Sequence, residues 1–322
     1  MFEELGQKVS PLTLFESKRC VNVCAPMVRY SKLPFRELVR GYDVDLCYTP
    51  MILSADFAAS KYARDSELTT NIKDTPLVIQ FAAKNSKELS DAAELVAKYV
   101  SGIDINCGCP QKWAINEGIG ARLMEKPEFV RDMVRAVKSR VGTEVTCSVK
   151  IRVHADLRQV TKNKSLLETV SFVQQVESTG LDFIAVHGRT RRQRSSEPVN
   201  LDAIKLVKET VSIPVIANGD VFSVEDAQRI QSYTGVDGVM SARGILENPA
   251  LFSGHKRTPW ACVEKFVRLS LDYGNNFFIF HHHLIYMLEK VMSNAESKAF
   301  NTLTNTPAVL DYLEEHYGLK LY

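Results

Sequence analysis

Between Val21 and Met240 the chain repeats one pattern eight times: a short apolar run, a turn signal, then an amphipathic stretch. The runs are Val21–Ala25, Asp45–Thr49, Leu77–Phe81, Ile103–Asn106, Val145–Ile151, Asp182–Val186, Ile213–Ala217 and Val236–Met240. They are continuous rather than alternating, as parallel strands buried on both faces must be. Helical periodicity fills Ser86–Val100, with Ser86 as its expected cap, and also Pro127–Ser139, Leu166–Ser178, Leu201–Thr210 and Val224–Ser232. Eightfold strand–helix alternation predicts an α/β fold, a parallel (β/α)8 barrel of the TIM type. A doubly wound open sheet is the competing arrangement, but no G-x-G-x-x-G follows the first run.

The pattern stops near Asn248-Pro249. His255–Pro259 reads as a linker, and Ala261–Tyr273, Phe278–Asn294 and Pro307–His316 read as helices. The expected division is a catalytic barrel over 1–250 and a small all-helical unit over 251–322. Three consecutive histidines, His281–His283, cannot share one helix face, so they divide between core and surface, with RNA contact as a further role.

A net charge of +2 does not by itself announce a polyanionic partner, so a nucleic-acid role must come from where charge is placed. No apolar run approaches the ~20 residues of a membrane span. The acidic N-terminus, MFEELGQKVS, lacks the apolar segment of a secretory signal. Seven cysteines, odd in number and without framework spacing, fit a reducing compartment. The cytoplasm is the expected location, a nuclear pool being compatible with it.

In such a barrel the active site lies where the strands end. Ala25-Pro26-Met27 follows the first run, and Gln80 closes the third. Asn106-Cys107-Gly108-Cys109-Pro110 follows the fourth. Lys150 and Arg152 belong to the fifth, and His187-Gly188-Arg189-Thr190 follows the sixth. Asn218-Gly219-Asp220 and Ala242-Arg243-Gly244 follow the last two. The loops after strands seven and eight commonly bind phosphate; glycines permit close backbone approach and an arginine pairs with the anion. The alternative is that these glycines only make tight turns. Lys150, inside a strand, needs a partner. It could form a Schiff base, hold an anionic ligand such as the electron-rich edge of a reduced flavin, or sit in a structural ion pair. Gln80 can both donate and accept, which suits a pyrimidine-like edge. Cys107 and Cys109 lack the further ligands of a metal site, so no metal is expected. Cys109, between Gly108 and Pro110, reads as a constrained thiol able to act as a general acid; Cys20, Cys24, Cys47, Cys147 and Cys262 read as packed small hydrophobes.

Taken in order, these segments resemble the tRNA-dihydrouridine synthases. The resemblance is carried by APM at Ala25–Met27, PM at Pro50-Met51, DINCGCP at Asp104–Pro110 and GxGAxLM at Gly118–Met124. VKIR at Val149–Arg152, HGRT at His187–Thr190, NGD at Asn218–Asp220 and ARG at Ala242–Gly244 complete it. Within the family the chain looks most similar to the eukaryotic branch that acts on uridines 20a and 20b of the tRNA D-loop. After HGRT it departs, reading RRQRSSEPVN where the family often carries Gly and an aromatic.

The resemblance implies FMN in the barrel mouth, reduced by NADPH or NADH, with tRNA as second substrate. Ala25, Pro26, Met27 and Gln80 would contact the flavin ring, and Lys150 its electron-rich edge. Asn218, Gly219, Asp220, Ala242, Arg243 and Gly244 would hold the phosphate. His187 would lie near flavin or base, Asn106 would orient the base, and Cys109 would give a proton to uracil C5 after hydride reaches C6. The uridine must leave the tRNA fold to reach such a mouth. RNA contact is expected from Arg29, Lys32, Arg36 and Arg40 after strand one, Arg152, Arg158, Lys162 and Lys164 at strand five, and Arg189, Arg191, Arg192 and Arg194 after strand six. The helical tail, whose charges balance, resembles the family's RNA-docking domain. A monomer is the expected state. A flavin reductase of free pyrimidines and an inactive tRNA-binding protein are the competing functions.

Overall fold

The structure, a computed structural model, describes residues 8–17, 19–154 and 162–321, without the side chains of 162–166. Eight parallel strands close into a barrel in sequence order: β1 (Val21–Cys24), β2 (Leu46–Leu53), β3 (Leu77–Ala82), β4 (Gly102–Cys107), β5 (Thr146–Arg152), β6 (Phe183–His187), β7 (Val215–Asn218) and β8 (Gly238–Ser241). β1 closes the ring on β8, pairing Val23 with Met240 and Cys24 with Ser241. Every residue of β3 and β4 is buried, which accounts for the continuous apolar runs.

β2 runs four residues beyond Thr49, through Pro50 and Met51. A proline cannot donate to a ladder, and the β2–β3 register shifts between Tyr48 and Met51. The Thr49 hydroxyl takes the Gln80 N–H there at 3.1 Å, so this strand donor keeps a partner at the irregularity.

Helices alternate with the strands outside the barrel. The helix expected from Ser86 is capped instead by Asn85, whose side chain accepts from the Glu88 N–H, and it ends at Val96. The tail holds four helices rather than three: Trp260–Asp272, Phe277–Leu288, Asn294–Asn301 and Thr306–Tyr317. The break after Leu288 has a cause in the sequence. Ser293 and Glu296 form a capping box that starts a new helix.

The tail packs on the barrel through Trp260–Asp272 against Leu33–Arg40 and Phe277–Leu288 against Arg243–Glu247. Phe266, Phe280, Leu284 and Leu313 join the same apolar core as the strands. The histidine run serves this junction. His283 donates Nε2–H to the Tyr30 carbonyl at 3.0 Å and stacks on Phe35, and burial lowers its pKa to about 3. His282 pairs with the Tyr30 hydroxyl and His281 with the Phe300 carbonyl. Among the described residues no helix is long and apolar enough to cross a membrane, and no cluster of acids, cysteines and histidines could hold a metal.

Candidate active site at the barrel mouth

Side chains alternate along a strand, so residues two apart share a face. Asp104 and Asn106 on β4, and Ser148, Lys150 and Arg152 on β5, follow this period. Register brings Gln80 beside Asp104, Asp104 beside Ser148, Asn106 beside Lys150, and His187 between Arg152 and Asn218.

Lys150 Nζ donates to Asn218 Oδ1 at 2.9 Å, and Asn218 Nδ2 donates to the Met240 carbonyl at 3.0 Å. Among the described residues Lys150 has no carboxylate within ion-pair distance, so the structural ion pair is set aside. Burial, with Arg152 adding repulsion, lowers its pKa to about 8. It stays a cation at neutral pH, ready for a ligand's negative edge.

His187, at the end of β6, accepts at Nε2 from an Arg189 guanidinium N–H at 3.3 Å. Arginine can only donate, so the ring proton sits on Nδ1. Burial, then Lys150, Arg152, Arg189 and Arg243, push its pKa down to about 2. His187 is therefore a neutral hydrogen-bond donor, not an acid.

The expected phosphate site is a cavity of about 60 Å³ lined by His187, Arg189, Asn218, Gly219, Arg243 and Gly244 among others. A Cβ on Gly244 would lie 2.0 Å from the Val221 carbonyl oxygen, and one on Gly219 would lie 2.8 Å from Val199. Only glycines let the backbone close this cradle. Asp220 has a different task from direct anion contact. Its carboxylate accepts from Arg189 and, at 3.0 Å, from Arg243, and so positions both guanidiniums at the cavity. The donor set of Lys150, Gln80, the two arginines and the glycine backbone fits a flavin mononucleotide. Ala25 and Met27, which follow β1, are buried, and Pro26 between them is half-exposed.

Cys109 is half-buried against Ala82, Ala114, Ile119 and Met51. Its loop is held on three sides. Asn106 Oδ1 accepts from the N–H groups of Gly108 and Cys109, at 3.2 and 2.9 Å. Arg152 Nε donates to the Gly108 carbonyl at 3.0 Å and its other nitrogen to the Thr190 carbonyl at 2.8 Å. The Cys109 carbonyl accepts from Ala121 N–H at 2.9 Å. Asn106 thus holds the thiol loop, rather than turning its carbonyl toward a base.

Several expected RNA contacts are corrected. Arg36 is buried at 1% exposure, bonded to Asp74 and to the Ser31 and Thr69 carbonyls, and Arg40 shares Asp74. Arg189 is buried at 2% and belongs to the phosphate cavity. Arg152 braces the thiol loop. Arg191 is paired to Glu125 and Lys32 to Glu67. Arg29, Arg192 and Arg194 are exposed, Arg29 lying over the Phe278 ring. Arg158 falls outside the described residues, as do the side chains of Lys162 and Lys164. Sequence reading missed Asp104 and Ser148 as members of the site; the two-residue spacing with Asn106 and Lys150 was the available signal.

A parallel barrel with a glycine-walled cavity, a half-buried lysine and a loop-held thiol at one mouth fits a flavin-type barrel oxidoreductase. Residues 23–309 match the family described as dihydrouridine synthase. Two mammalian proteins described as tRNA-dihydrouridine(20a/20b) synthase [NAD(P)+]-like are similar throughout. The Mus musculus protein is 53% identical over 97% of this chain and 94% of its own length. The Homo sapiens protein is 52% identical over 97% and 96%. The Schizosaccharomyces pombe tRNA-dihydrouridine(20a/20b) synthase [NAD(P)+] is 48% identical over 96% and 93%. The old yellow enzyme homologue of Zymomonas mobilis shares the fold alone, at TM-score 0.51 and 11% identity over 73% of this chain and 87% of its own. The chain belongs to the dihydrouridine synthase family. It is an oxidoreductase that makes dihydrouridine, and membership implies a flavin with a reduced nicotinamide as electron source.

Proposed function

We propose that this chain reduces uridines 20a and 20b of tRNA to 5,6-dihydrouridine, using FMN and NADPH or NADH. The observation that carries the reading is near-full-length similarity, at 43–53% identity, to four proteins whose names give that reaction. The site supports it chemically. Bound FMN supplies hydride for uracil C6. Lys150 and Gln80 would bind the polar edge of the flavin, while Gly219, Gly244 and the two arginines positioned by Asp220, Arg189 and Arg243, would hold its phosphate. His187 offers a neutral N–H donor at Nδ1. The negative charge left on the C4–C5 side of uracil takes a proton from the Cys109 thiol, which then regains one from solvent. Asn106 and Arg152 fix the loop that carries that thiol. The exposed Arg29, Arg192 and Arg194 supply phosphate contacts for RNA. Every group comes from one chain, so a monomer suffices.

The test is dihydrouridine mapping at nucleotide resolution in tRNA from cells lacking the protein, rescued with the parent or with Cys109→Ala. Loss at 20a and 20b, restored by the parent alone, is the expected outcome. Loss at another position moves the site of action. Unchanged tRNA, with turnover of free uracil or orotate by the purified protein, replaces the reading with a free-pyrimidine reductase.

A further inference from the structure

One buried side chain of the mouth has no part in the chemistry above. Asp104 lies in the barrel below the thiol loop, fully buried. Its Oδ1 accepts from Ser148 Oγ at 2.7 Å and its Oδ2 from Gln80 Nε2 at 2.8 Å. Gln80 Oε1 accepts from Asn106 Nδ2 at 2.8 Å. Asn106 Oδ1 accepts from the Gly108 and Cys109 N–H groups. The sequence of bonds is unbroken from the barrel interior to the backbone of the thiol.

The polarity of this chain of bonds is set at both of its ends, by an acceptor-only carboxylate and by two donor-only backbone N–H groups. A carboxylate only accepts, so Gln80 must turn its NH2 group toward Asp104. Its carbonyl then faces Asn106, whose NH2 must turn to meet it. The Asn106 carbonyl is left facing the loop, where two N–H groups need an acceptor. If Gln80 flips, two NH2 groups oppose each other, and Asn106 can relieve this only by turning its own NH2 toward the loop donors. Both side-chain amides are nearly symmetric in shape, so packing alone does not choose between the two states; the carboxylate and the two loop N–H groups do so together, and loss of the carboxylate removes one of the two anchors.

We infer that Asp104 is a positioning residue for the Cys109 thiol, acting through the amide orientations of Gln80 and Asn106. It touches neither substrate nor cofactor. The inference uses the proposed role of Cys109, but the positioning itself is a property of the protein alone. It also explains why a carboxyl is kept in a place where burial raises its pKa to about 6: the site needs an acceptor there, not a charge. Asparagine can meet that need: the loop N–H groups fix Asn106 and through it Gln80, so the asparagine carbonyl faces the Gln80 NH2 while its amide faces Ser148, whose hydroxyl then accepts.

The experiment compares Asp104→Ala, Asp104→Leu and Asp104→Asn in the full chain. The first readout needs no activity: the rate at which iodoacetamide alkylates Cys109, followed by peptide mass spectrometry, with Cys20 as internal reference. Asp104→Ala and Asp104→Leu free the loop and raise the Cys109 rate at least about threefold, while Asp104→Asn stays near the parent. The second readout is single-turnover oxidation of the reduced enzyme by tRNA. It slows at least about tenfold in Asp104→Ala and is restored in Asp104→Asn. In a Cys109→Ala background Asp104→Ala adds no further loss, because both changes remove one function. Should one apolar variant fail to fold, the other gives the same comparison. Parent-like alkylation in a folded apolar variant overturns the inference. So does equal impairment of Asp104→Asn, or multiplication of the two single effects in the double variant. If the parent reduces no tRNA uridine, the functional proposal fails and alkylation still decides the positioning.

Discussion

Lys150 reaches from β5 past β6 to hold Asn218 of β7, Nζ to Oδ1 at 2.9 Å. This one bond joins the centre of the barrel to the wall of the anion cavity, because Asn218 and Gly219 both line that cavity. The lysine is a half-buried cation whose ammonium is largely desolvated, and its pKa of about 8 reflects that cost. Below pH 8 the charge is present; as pH rises through 8 it is lost. Flavin affinity of the apo-protein is therefore expected to weaken between pH 7 and pH 9. Lys150→Met should bind FMN at least about tenfold more weakly at pH 7 and lose that pH dependence. Fluorescence quenching titration of FMN checks both; a variant with parent affinity at pH 7 removes Lys150 from the cofactor site.

Cys109→Ala leaves the anion cavity and Lys150 intact, so the variant should purify with parent flavin content. Removing a positioned general acid costs roughly 10²–10⁴ in rate. Turnover on tRNA should fall by that order, while reduction of the flavin by NADPH proceeds normally. Stopped-flow absorbance separates the two halves. Parent-like oxidation by tRNA would assign the proton to another group.

His187 is held neutral in the fold. Its pKa drops from 6.5 to about 2, so the unfolded chain binds a proton that the folded chain refuses. Stability from this group is full above pH 6.5 and drains away as pH falls toward 2. Between pH 7.5 and pH 5 the parent should lose about 1–2 kcal/mol more than His187→Gln. Urea unfolding at the two pH values measures the difference; equal losses would mean that His187 takes its proton in the folded state.

The buried arginine beside Asp74 and the exposed arginines of the rim should behave in opposite ways. Asp74 is enclosed by Arg36 and Arg40, which hold its carboxyl below the usual range despite burial. Asp74→Ala leaves a buried guanidinium uncompensated, at a cost of about 3–5 kcal/mol. Arg194→Ala should leave the melting temperature unchanged. It should weaken tRNA binding and lower the slope of log affinity against log salt by about one. A variant at Asp74 that keeps its stability would mean that the cluster is solvated in solution.

The barrel was legible because parallel strands buried on two faces leave continuous apolar runs, and all eight were found in place. The polar residues at strand ends were legible too, since nothing in a core explains Lys150, Gln80 or His187. What did not show was direction. Arg36 and Arg189 have the same side chain as Arg194, and only packing sorts them into core, cavity and rim. Asp104 was hidden for a similar reason. It reads as one letter of a motif until the register sets it between Gln80 and Ser148. The break in the tail after Leu288 was readable and missed: the Ser293 to Glu296 spacing marks a helix start inside an otherwise continuous apolar pattern.

Gly120 belongs to a segment that sequence alone tied only to resemblance, and the fold gives it a physical role. It has φ of 63°, and a Cβ there would lie 2.7 Å from the Cys109 carbonyl oxygen and 2.9 Å from the Cys109 Cβ. Real side chains do not approach so closely, and the clash is with backbone, which cannot swing aside. The absence of a side chain allows Ala121 N–H to reach the Cys109 carbonyl at 2.9 Å. Gly120→Ala should push the thiol loop outward while leaving Lys150, Asn218 and the anion cavity untouched. Strain at the left-handed backbone adds about 1 kcal/mol of destabilisation. Flavin content should match the parent, and turnover on tRNA should fall about tenfold or more, since displacement of about 1 Å at a reacting group costs on the order of 10²-fold. Gly118, also left-handed but with nothing within 4 Å of its Cβ position, is the control. Gly118→Ala carries the same backbone strain without the collision, so it should lose stability and keep turnover. Equal turnover in the two variants would mean that the loop yields around the added methyl, and that the close approach of Gly120 does not set the position of Cys109.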